Sequence, residues 1–313
     1  MSALIDIVLP VFLVVGFGYL VRWREMLSDG AIDGMMRFAQ SVAIPCLLFL
    51  AISSLDLGAE FNFPLLSSFY AGAFAGFLAG LLGARFLFGR PWTDAVAFGF
   101  VSLFSNSLLL GLPITERAFG PDALAGNYAI ISIHAPFCYA IGITAMEIAR
   151  AEGAGIRATL TQIFRSMSRN MLVIAIAAGF VVNLTGLPLP GVLVEALALV
   201  GRAALPTALF ALGGVLYLYR PEGDLKIVLY LCVASLGLHP AITWALGQAQ
   251  GLGEAPFRSA ILTAASAPGI NAYVFANLYG VGKRVAATTV LVGTALSILT
   301  VWIWLAALGV NGG

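Results

Sequence analysis

Two stretches of the chain place small and polar residues where the surrounding sequence is almost wholly apolar. The first reads Ser105-Asn106-Ser107-Leu108-Leu109-Leu110-Gly111-Leu112-Pro113, and the second reads Ser266-Ala267-Pro268-Gly269-Ile270-Asn271-Ala272-Tyr273. Proline lacks a backbone donor and disrupts the preceding helical turn, so each stretch predicts a broken helix. The polar groups of the two stretches are amides, hydroxyls and the N-terminal ends of the helices that resume after each break. Each of these helix ends carries about half a positive charge. This chemistry favours the binding of an anion.

The polar side chains of the two breaks allow more than one role. Asn106 and Asn271 either only cap the helices that they interrupt or also face a substrate. The serines of both breaks suit hydrogen bonds to backbone groups better than substrate contacts. Tyr273 suits a substrate hydrogen bond and plain packing equally well. The expected substrate ligands are Asn106, Ser107, Gly269, Asn271, Tyr273 and Arg202, and the expected hinge residues are Ser105, Pro113 and Pro268.

Three ionisable residues lie deep inside apolar stretches. Arg202 is ten residues into a stretch that begins at Val192, which places it ~15 Å deep at the helical rise. A midplane Arg costs at least ~2.5–3.5 kcal/mol, so we expect it to face a cavity or a partner, and its planar fork suits a carboxylate. A structural ion pair or snorkelling is the alternative. His134 and His239 either relay a proton or, as is more common, hydrogen-bond a backbone carbonyl.

Several kinds of site are missing from the sequence. No Asp or Glu lies in either break or near the predicted midplane, where a cation would need one because an unpaired charge is costly in a membrane. An anion is therefore favoured as the main cargo. Catalytic motifs such as GxSxG and HExxH are absent, and Cys46, Cys138 and Cys232 are isolated in apolar runs. We expect neither an intramembrane enzyme nor a cofactor or metal site.

The composition explains why these residues stand out. Of 313 residues, 60% are hydrophobic and 10% are charged, and the mean hydropathy is +0.98. Soluble domains hold about 25% charged residues, and roughly half of a soluble exterior must be polar. The composition therefore excludes a soluble enzyme and a disordered scaffold, and a net charge of +1 offers no field for nucleic acid. It predicts an all-α polytopic membrane protein in the lipid bilayer.

Ten stretches are apolar enough to cross ~30 Å of hydrocarbon. They run over Leu4–Val21, Gly34–Ser54, Pro64–Phe88, Thr93–Phe119, Leu124–Ile148, Ser168–Leu184, Val192–Leu218, Leu225–Ala249, Ala255–Asn277 and Val285–Leu308. The first cation is Arg22, which argues for a retained first helix rather than a cleaved signal peptide. Loops after odd-numbered spans hold thirteen of the 16 cations, and those after even-numbered spans hold only Arg117 and Arg258. The odd loops are thus expected in the cytoplasm, with both termini outside.

A short motif recurs in the second and seventh of these spans. Ile44-Pro45-Cys46-Leu47-Leu48-Phe49 and Leu205-Pro206-Thr207-Ala208-Leu209-Phe210 share Pro, Leu and Phe at a constant offset of 161. Five spans per half is an odd number, so the halves enter the membrane in opposite directions as a 5+5 inverted repeat. The two breaks then occupy the corresponding fourth and ninth spans, where paired broken helices indicate a transport site. The expected division is 1–150, a cytoplasmic linker at 151–165, and 166–313.

The sequence resembles the auxin efflux carrier family, which includes plant PIN-type carriers and bacterial malonate-type transporters. The resemblance covers nearly the whole chain and rests on the Asn-x-x-x-x-Gly-x-Pro run from Asn106 to Pro113, on Pro268–Ala276 and on Leu205–Gly213. It implies ten helices in a scaffold and a transport domain, each built from both repeats, with broken helices 4 and 9 crossed. It also implies that Asn106 contacts a substrate carboxylate. Plant members carry a proline at the position of Ser105, so we expect the first crossing to be softer than the second.

These observations predict a secondary transporter of a small organic anion, a mono- or dicarboxylate of malonate- or auxin-like type. An elevator-like movement of one domain against the other would alternate access to a carboxylate held at the crossing. Export of one negative charge is favoured by ~2.3 kcal/mol per 100 mV, whereas uptake needs a coupled proton or sodium ion. The expected location is the plasma or inner membrane of the cell, and homodimer formation stays open. A cation/proton antiporter and a channel or sensor of the same fold are the alternatives.

Overall fold

The computed structural model of the chain describes residues 4–150, 161, 164, 168, 170–219 and 222–310. The predicted linker at 151–165 lies almost wholly outside these residues, as do Arg157, Arg165, Arg169 and Arg220. Regular structure in the described part is helical, apart from one isolated β-bridge. The prediction of an all-helical protein is confirmed.

The described residues form sixteen α-helices. They are α1 (Leu9–Trp23), α2 (Asp29–Phe38), α3 (Ile44–Ser53), α4 (Leu57–Glu60), α5 (Phe63–Phe86), α6 (Trp92–Leu103), α7 (Leu112–Phe119), α8 (Ala125–Arg150), α9 (Met171–Thr185), α10 (Gly191–Arg202), α11 (Ala204–Leu218), α12 (Leu225–Val233), α13 (His239–Ala249), α14 (Glu254–Ala264), α15 (Ile270–Tyr279) and α16 (Lys283–Ala307). Short π-helical segments join several of them into longer rods, because the chain there stays helical without interruption.

Seven helical segments of the described chain are long and apolar enough to cross a membrane. They are Ile5–Trp23, Asp29–Ser53, Phe63–Phe86, Pro121–Arg150, Gly191–Leu218, Leu225–Ala249 and Lys283–Ala307. The helices α6 and α9 are apolar but shorter. The predicted fourth span divides into α6 and α7, and the predicted ninth span divides into α14 and α15. A total of ten spans and their inverted 5+5 arrangement stay predictions.

Each of the four π-helical segments in the described chain is followed by one residue and then a proline. The pairs are Leu4–Val8 with Pro10, Ala39–Ala43 with Pro45, Ser107–Gly111 with Pro113, and Ala234–Leu238 with Pro240. Proline has no N–H, and its ring clashes with the carbonyl four residues earlier, so the turn before it widens. The N–H of Leu112 accordingly donates to the carbonyl of Ser107, five residues back.

The described residues belong to two compact units. One unit comprises Met1–Leu9, Phe61–Ile163 and Tyr219–Gly313, and the other comprises Pro10–Glu60 and Phe164–Leu218. Each unit therefore draws on both halves of the sequence, and both breaks fall within the first unit. The predicted division at 151–165 stays a prediction.

In the first unit, α5, α8 and α14 share a core next to the second break. Leu65 and Phe69 of α5 pack with Ala129 and Ile130 of α8 and with Ala264 at the end of α14, and all five are fully buried. Small residues let these helices approach closely, which is how helices associate in a membrane. The core fixes the position at which α14 ends.

In the second unit, one amide holds the end of α3 against α9. The Nδ2 atom of Asn183 lies 3.0 Å from the carbonyl oxygen of Ile52, 3.2 Å from that of Ser53 and 2.7 Å from that of Leu55. These carbonyls lie at the C-terminal end of a helix, where four carbonyls have no partner within the helix. Asn183 thus supplies a donor to Ser53 and Leu55 and a further one to Ile52, whose carbonyl also accepts from the N–H of Leu55 at 3.4 Å.

Replacement of Asn183 by Leu is expected to lower the stability of the protein by about 1–3 kcal/mol, because it leaves the carbonyls of Ser53 and Leu55 without this donor. Thermal unfolding of the purified protein in detergent measures the effect. Thr185→Val is the control, since the Thr185 hydroxyl donates within its own helix, to Val181, at 2.6 Å. Equal stability of the two variants would contradict the capping role.

Candidate substrate-binding site

Both predicted breaks are present and both are buried. The first lies between α6, which ends at Leu103, and the π-helical segment Ser107–Gly111 that leads into α7. The second lies between α14, which ends at Ala264, and α15, which begins at Ile270. Non-helical backbone at membrane depth is tolerated only where it is buried in protein or lines a cavity. The two breaks meet this requirement by pairing with each other.

The pairing is a short antiparallel bridge between Ser105 and Pro268. The N–H of Asn106 donates to the carbonyl of Ala267 at 2.7 Å, and the N–H of Gly269 donates to the carbonyl of Phe104 at 2.8 Å. In this register the two bridged residues contribute no N–H to the ladder, so Pro268 loses nothing by lacking one. The backbone groups freed by the breaks therefore satisfy one another.

Asn106 caps the resumed helix and keeps a donor to spare. Its Oδ1 atom accepts from the N–H of Leu109 at 3.3 Å, and its side chain is 6% exposed. Its Nδ2 atom is buried and has no hydrogen-bond partner among the described residues, and the same holds for Oγ of the neighbouring Ser105. A buried donor without a partner costs about 1–3 kcal/mol, which a bound anion would remove. Both roles foreseen for Asn106, capping and facing a substrate, fit this geometry.

The paired breaks, residues 104–106 and 267–269, form the crossing, and the helix ends at this crossing add positive potential. Gly269 is the N-cap of α15, and no side chain caps this end. The segment capped by Asn106 leads into α7, so a second helix N-terminus starts at the same crossing. Each end carries about half a positive charge from its unpaired N–H groups. Together they complement a carboxylate.

Four further predicted residues lie outside the bridge, at different separations from it in the sequence. Ser107 is buried as the first residue of the π-helical segment, directly after Asn106. Asn271 and Tyr273 are partly exposed on α15, and the ring of Tyr273 packs on Tyr219 with centroids 4.9 Å apart. Pro113 is not part of the bridge, because it lies in the first turn of α7.

Both histidines pack against one phenylalanine, and one of them also contacts the first break. The ring centroid of Phe69 is 5.6 Å from that of His134 and 5.0 Å from that of His239, and both histidines are buried. Nε2 of His239 lies 3.3 Å from the carbonyl oxygen of Phe69. The ring of His134 lies 4.8 Å from that of Phe104, the first residue after α6. The carbonyl contact of His239 matches the more common of the two roles considered for it.

Arg202 belongs to the second unit and not to the unit that contains the crossing. It is the last residue of α10, directly before the turn at Ala203, and its side chain is exposed. In the described part of the chain it has no ion-pair partner. Glu195, seven residues earlier on the same helix, is also exposed. A structural ion pair between these two residues is therefore absent.

A cluster of three polar residues near the crossing was not predicted from the sequence. Asn127 of α8 donates from Nδ2 to Thr115 of α7 at 3.2 Å and to Thr263 of α14 at 2.9 Å. All three are fully buried. The only available signal was that Asn127 is the single amide in the predicted fifth span. Threonines in apolar helices carry no such signal, because they commonly bond to their own helix.

Comparisons with known proteins place the whole chain in one family. The family model described as "Membrane transport protein" matches residues 3–305. A protein of Rhizobium meliloti (strain 1021) named "Putative malonate transporter" is 25% identical over 307 residues, which are 96% of this chain and 94% of that one. An "Uncharacterized transporter" of Methanothermobacter thermautotrophicus is 26% identical over 215 residues, which are 66% of each chain. The resemblance to auxin efflux carriers is thereby confirmed, and this chain belongs to the membrane transport protein family, whose members are transporters and not enzymes.

Proposed function

We propose that this membrane protein is a secondary transporter of a small organic anion, whose carboxylate binds where the two broken helices pair. The observation that carries the proposal is the buried, unpartnered Nδ2 of Asn106, beside the unpartnered Oγ of Ser105, among the described residues. A carboxylate offers acceptor sites to both donors. The two helix N-termini at the crossing add to the attraction. The lack of Asp and Glu in both breaks removes any competing negative charge.

The substrate class in this proposal is a mono- or dicarboxylate. The name of the Rhizobium relative, at 25% identity, makes malonate the first substrate to test. Malonate is small and carries two carboxylates, whereas an auxin-like acid carries one carboxylate on an aromatic body. One carboxylate at the crossing suffices for either type.

The proposed architecture is a ten-helix inverted repeat of five plus five. The bridge joins residues 105 and 268, which are 163 positions apart and thus close to the 161-residue offset of the repeated motif. Each compact unit also draws on both halves of the sequence. These facts support two domains, of which the one with the crossing moves in an elevator-like manner to alternate access.

The proposed setting is the plasma or inner membrane with both termini outside, as the uneven distribution of cations favours. Uptake of an anion against an interior-negative potential requires a coupled proton or sodium ion. For a proton, His134 and His239 are the proposed relay, because they flank Phe69 next to the crossing. We also propose that two copies of the chain pair as a homodimer.

Counterflow in proteoliposomes tests the function. Vesicles that contain the purified protein and are loaded with unlabelled malonate are expected to accumulate labelled malonate transiently and with saturation. A channel dissipates the gradient without counterflow. Exchange of sodium for protons without any dependence on an organic anion would overturn the proposal in favour of an antiporter.

Replacement of Arg202 by Gln is expected to weaken transport of a dicarboxylate about tenfold and of a monocarboxylate far less, because it removes one positive charge and a dianion is attracted by that charge more strongly than a monoanion. Initial rates for malonate and for a monocarboxylate of similar size give the comparison. Arg202→Lys is the matched control, since it keeps the charge. Equal losses for both substrates would assign a structural role to Arg202.

A further inference from the structure

The polar cluster on α7, α8 and α14 contains one acceptor that nothing in the described chain satisfies. Asn127 donates from Nδ2 to Thr115 and to Thr263, while its Oδ1 atom is buried without a hydrogen-bond partner among the described residues. The side chains of all three residues are 0% exposed. A fully buried polar atom without a partner calls for an explanation, such as a bound ion.

The remaining groups of the cluster also present oxygen lone pairs. The hydroxyl of Thr115 donates its proton to the carbonyl of Gly111 at 2.9 Å, which leaves its oxygen as an acceptor. Both threonine oxygens lie within hydrogen-bond distance of Nδ2 of this carboxamide, and Oδ1 is bonded to the same carbon atom as Nδ2. Thr263 lies in the last turn of α14, and the C-terminal end of a helix carries about half a negative charge. The unpartnered Oδ1 and this end of α14 therefore complement a positive charge.

We propose that Asn127, Thr115 and Thr263 bind a dehydrated monovalent alkali cation. Neutral oxygens and a helix C-terminus are the groups that hold such ions next to broken helices in transporters. A divalent ion is disfavoured, because calcium and magnesium sites use carboxylates. The described residues contain no group of three or more His, Cys, Asp or Glu that would hold a metal. The absence of carboxylates thus excludes a strong cation site but is compatible with a weak monovalent one.

The location of the site links it to the crossing. The helix α7 follows the first break and α14 precedes the second, so the elements that carry Thr115 and Thr263 both lead directly to the bridge. Ser266, three residues after Thr263, approaches Gly111 so closely that a Cβ there would lie 3.1 Å from its Oγ. A cation that ties these helices together favours the paired arrangement of the breaks. This inference rests on the proposed function, in which the cation accompanies the anion and offsets its charge. Because coupling between two binding sites is reciprocal, each ligand then strengthens binding of the other.

Thermal unfolding of the purified protein in detergent tests the site. Choline chloride is replaced by NaCl, KCl or LiCl at constant chloride, without any carboxylate. At least one alkali cation at about tenfold its Kd is expected to raise the Tm by about 2–4 °C, because a ligand of the folded state stabilises it. The shift is expected to vanish in Thr263→Val, which keeps the shape of the side chain, and in Asn127→Leu. Thr300→Val is the matched control, since Thr300 also has a buried hydroxyl without a partner in the described part of the chain but lies on α16.

A second variant changes the charge of the site and is expected to have the opposite effect on cation binding. Asn127→Asp is expected to raise the affinity for the cation at least tenfold, since it adds a carboxylate. Three results would each overturn the cation site. They are the lack of any alkali-specific shift in the wild type, an unchanged shift in Thr263→Val, and equal destabilisation of Asn127→Asp in all salts. The proposed function is tested apart from it with Asn106→Ala, which is expected to lose the stabilisation by malonate and to keep that by the cation. If malonate stabilises the wild type and no alkali cation does, only the cation site fails; the reverse result removes only the proposed anion site.

Discussion

Asn106→Ala is expected to reduce malonate transport roughly 10- to 150-fold, because removal of one hydrogen bond to a charged group costs about 1.5–3 kcal/mol. The Nδ2 atom of Asn106 is a buried donor with no partner among the described residues, and it lies at the paired breaks. Uptake into proteoliposomes measures the loss. Asn277→Ala on the exposed side of α15 is the matched control, and it is expected to transport normally.

A second substitution separates binding from capping. Asn106→Asp keeps an oxygen that accepts from the N–H of Leu109, so the start of the π-helical segment stays capped. It removes the Nδ2 donor and adds a negative charge, which repels a carboxylate. The protein is therefore expected to fold and to lose transport. Transport close to that of the wild type by Asn106→Asp would show that Asn106 only caps the helix.

The breaks were predictable because their cause is local. Pro268 and the small and polar residues at 105–107 and 266–269 interrupt an otherwise apolar pattern, and this suffices to predict non-helical backbone, whereas Pro113 lies within the first turn of α7. The π-helical segments had an equally local signal in the proline that follows each of them, although periodicity alone does not reveal it. Sequence patterns thus indicated where the helices stop.

The pairing of the breaks was not predictable from local patterns. The bridge between Ser105 and Pro268 joins residues far apart in the chain, and its register depends on how α14 packs on α5 and α8. In that register the N–H of residue 105 is not needed, so the bridge accepts a serine or a proline at this position. A softer first crossing stays a prediction, because the stiffness of a crossing does not follow from its hydrogen bonds.

The polar groups near the crossing show the same limit. Asn106 was predicted because an amide next to a break has an obvious chemistry. The cluster of Asn127, Thr115 and Thr263 was missed, since three residues on three helices become one site only through tertiary packing. The exposure of Arg202 was equally hidden, because a position within a span does not say which face of the helix it occupies.

The crossing of α1 and α11 in the second unit yields the largest expected effect on stability. A Cβ atom at Gly18 would overlap the carbonyl oxygen of Phe210, and one at Gly213 would overlap that of Val15. Backbone oxygens cannot move away by a rotamer change, so a side chain at either position forces the helices apart. Gly18→Val is expected to cost more than about 3 kcal/mol, the upper end for overpacked cores, and to lower the Tm by more than about 6 °C.

Gly16→Val is a closely matched control for this substitution. Gly16 lies two residues away on the same helix, and a Cβ there meets nothing within 4 Å. Both variants lose the same helix-weakening glycine and gain the same β-branched side chain, so their difference in Tm isolates the helix contact. Equal stability of the two variants, measured by thermal unfolding in detergent, would contradict the close crossing. The contact between α1 and α11 belongs to the second unit, whereas Asn106 belongs to the first. A Gly18→Ala protein that folds is therefore expected to bind malonate with unchanged affinity. This measurement separates a loss of stability from a loss of the binding site.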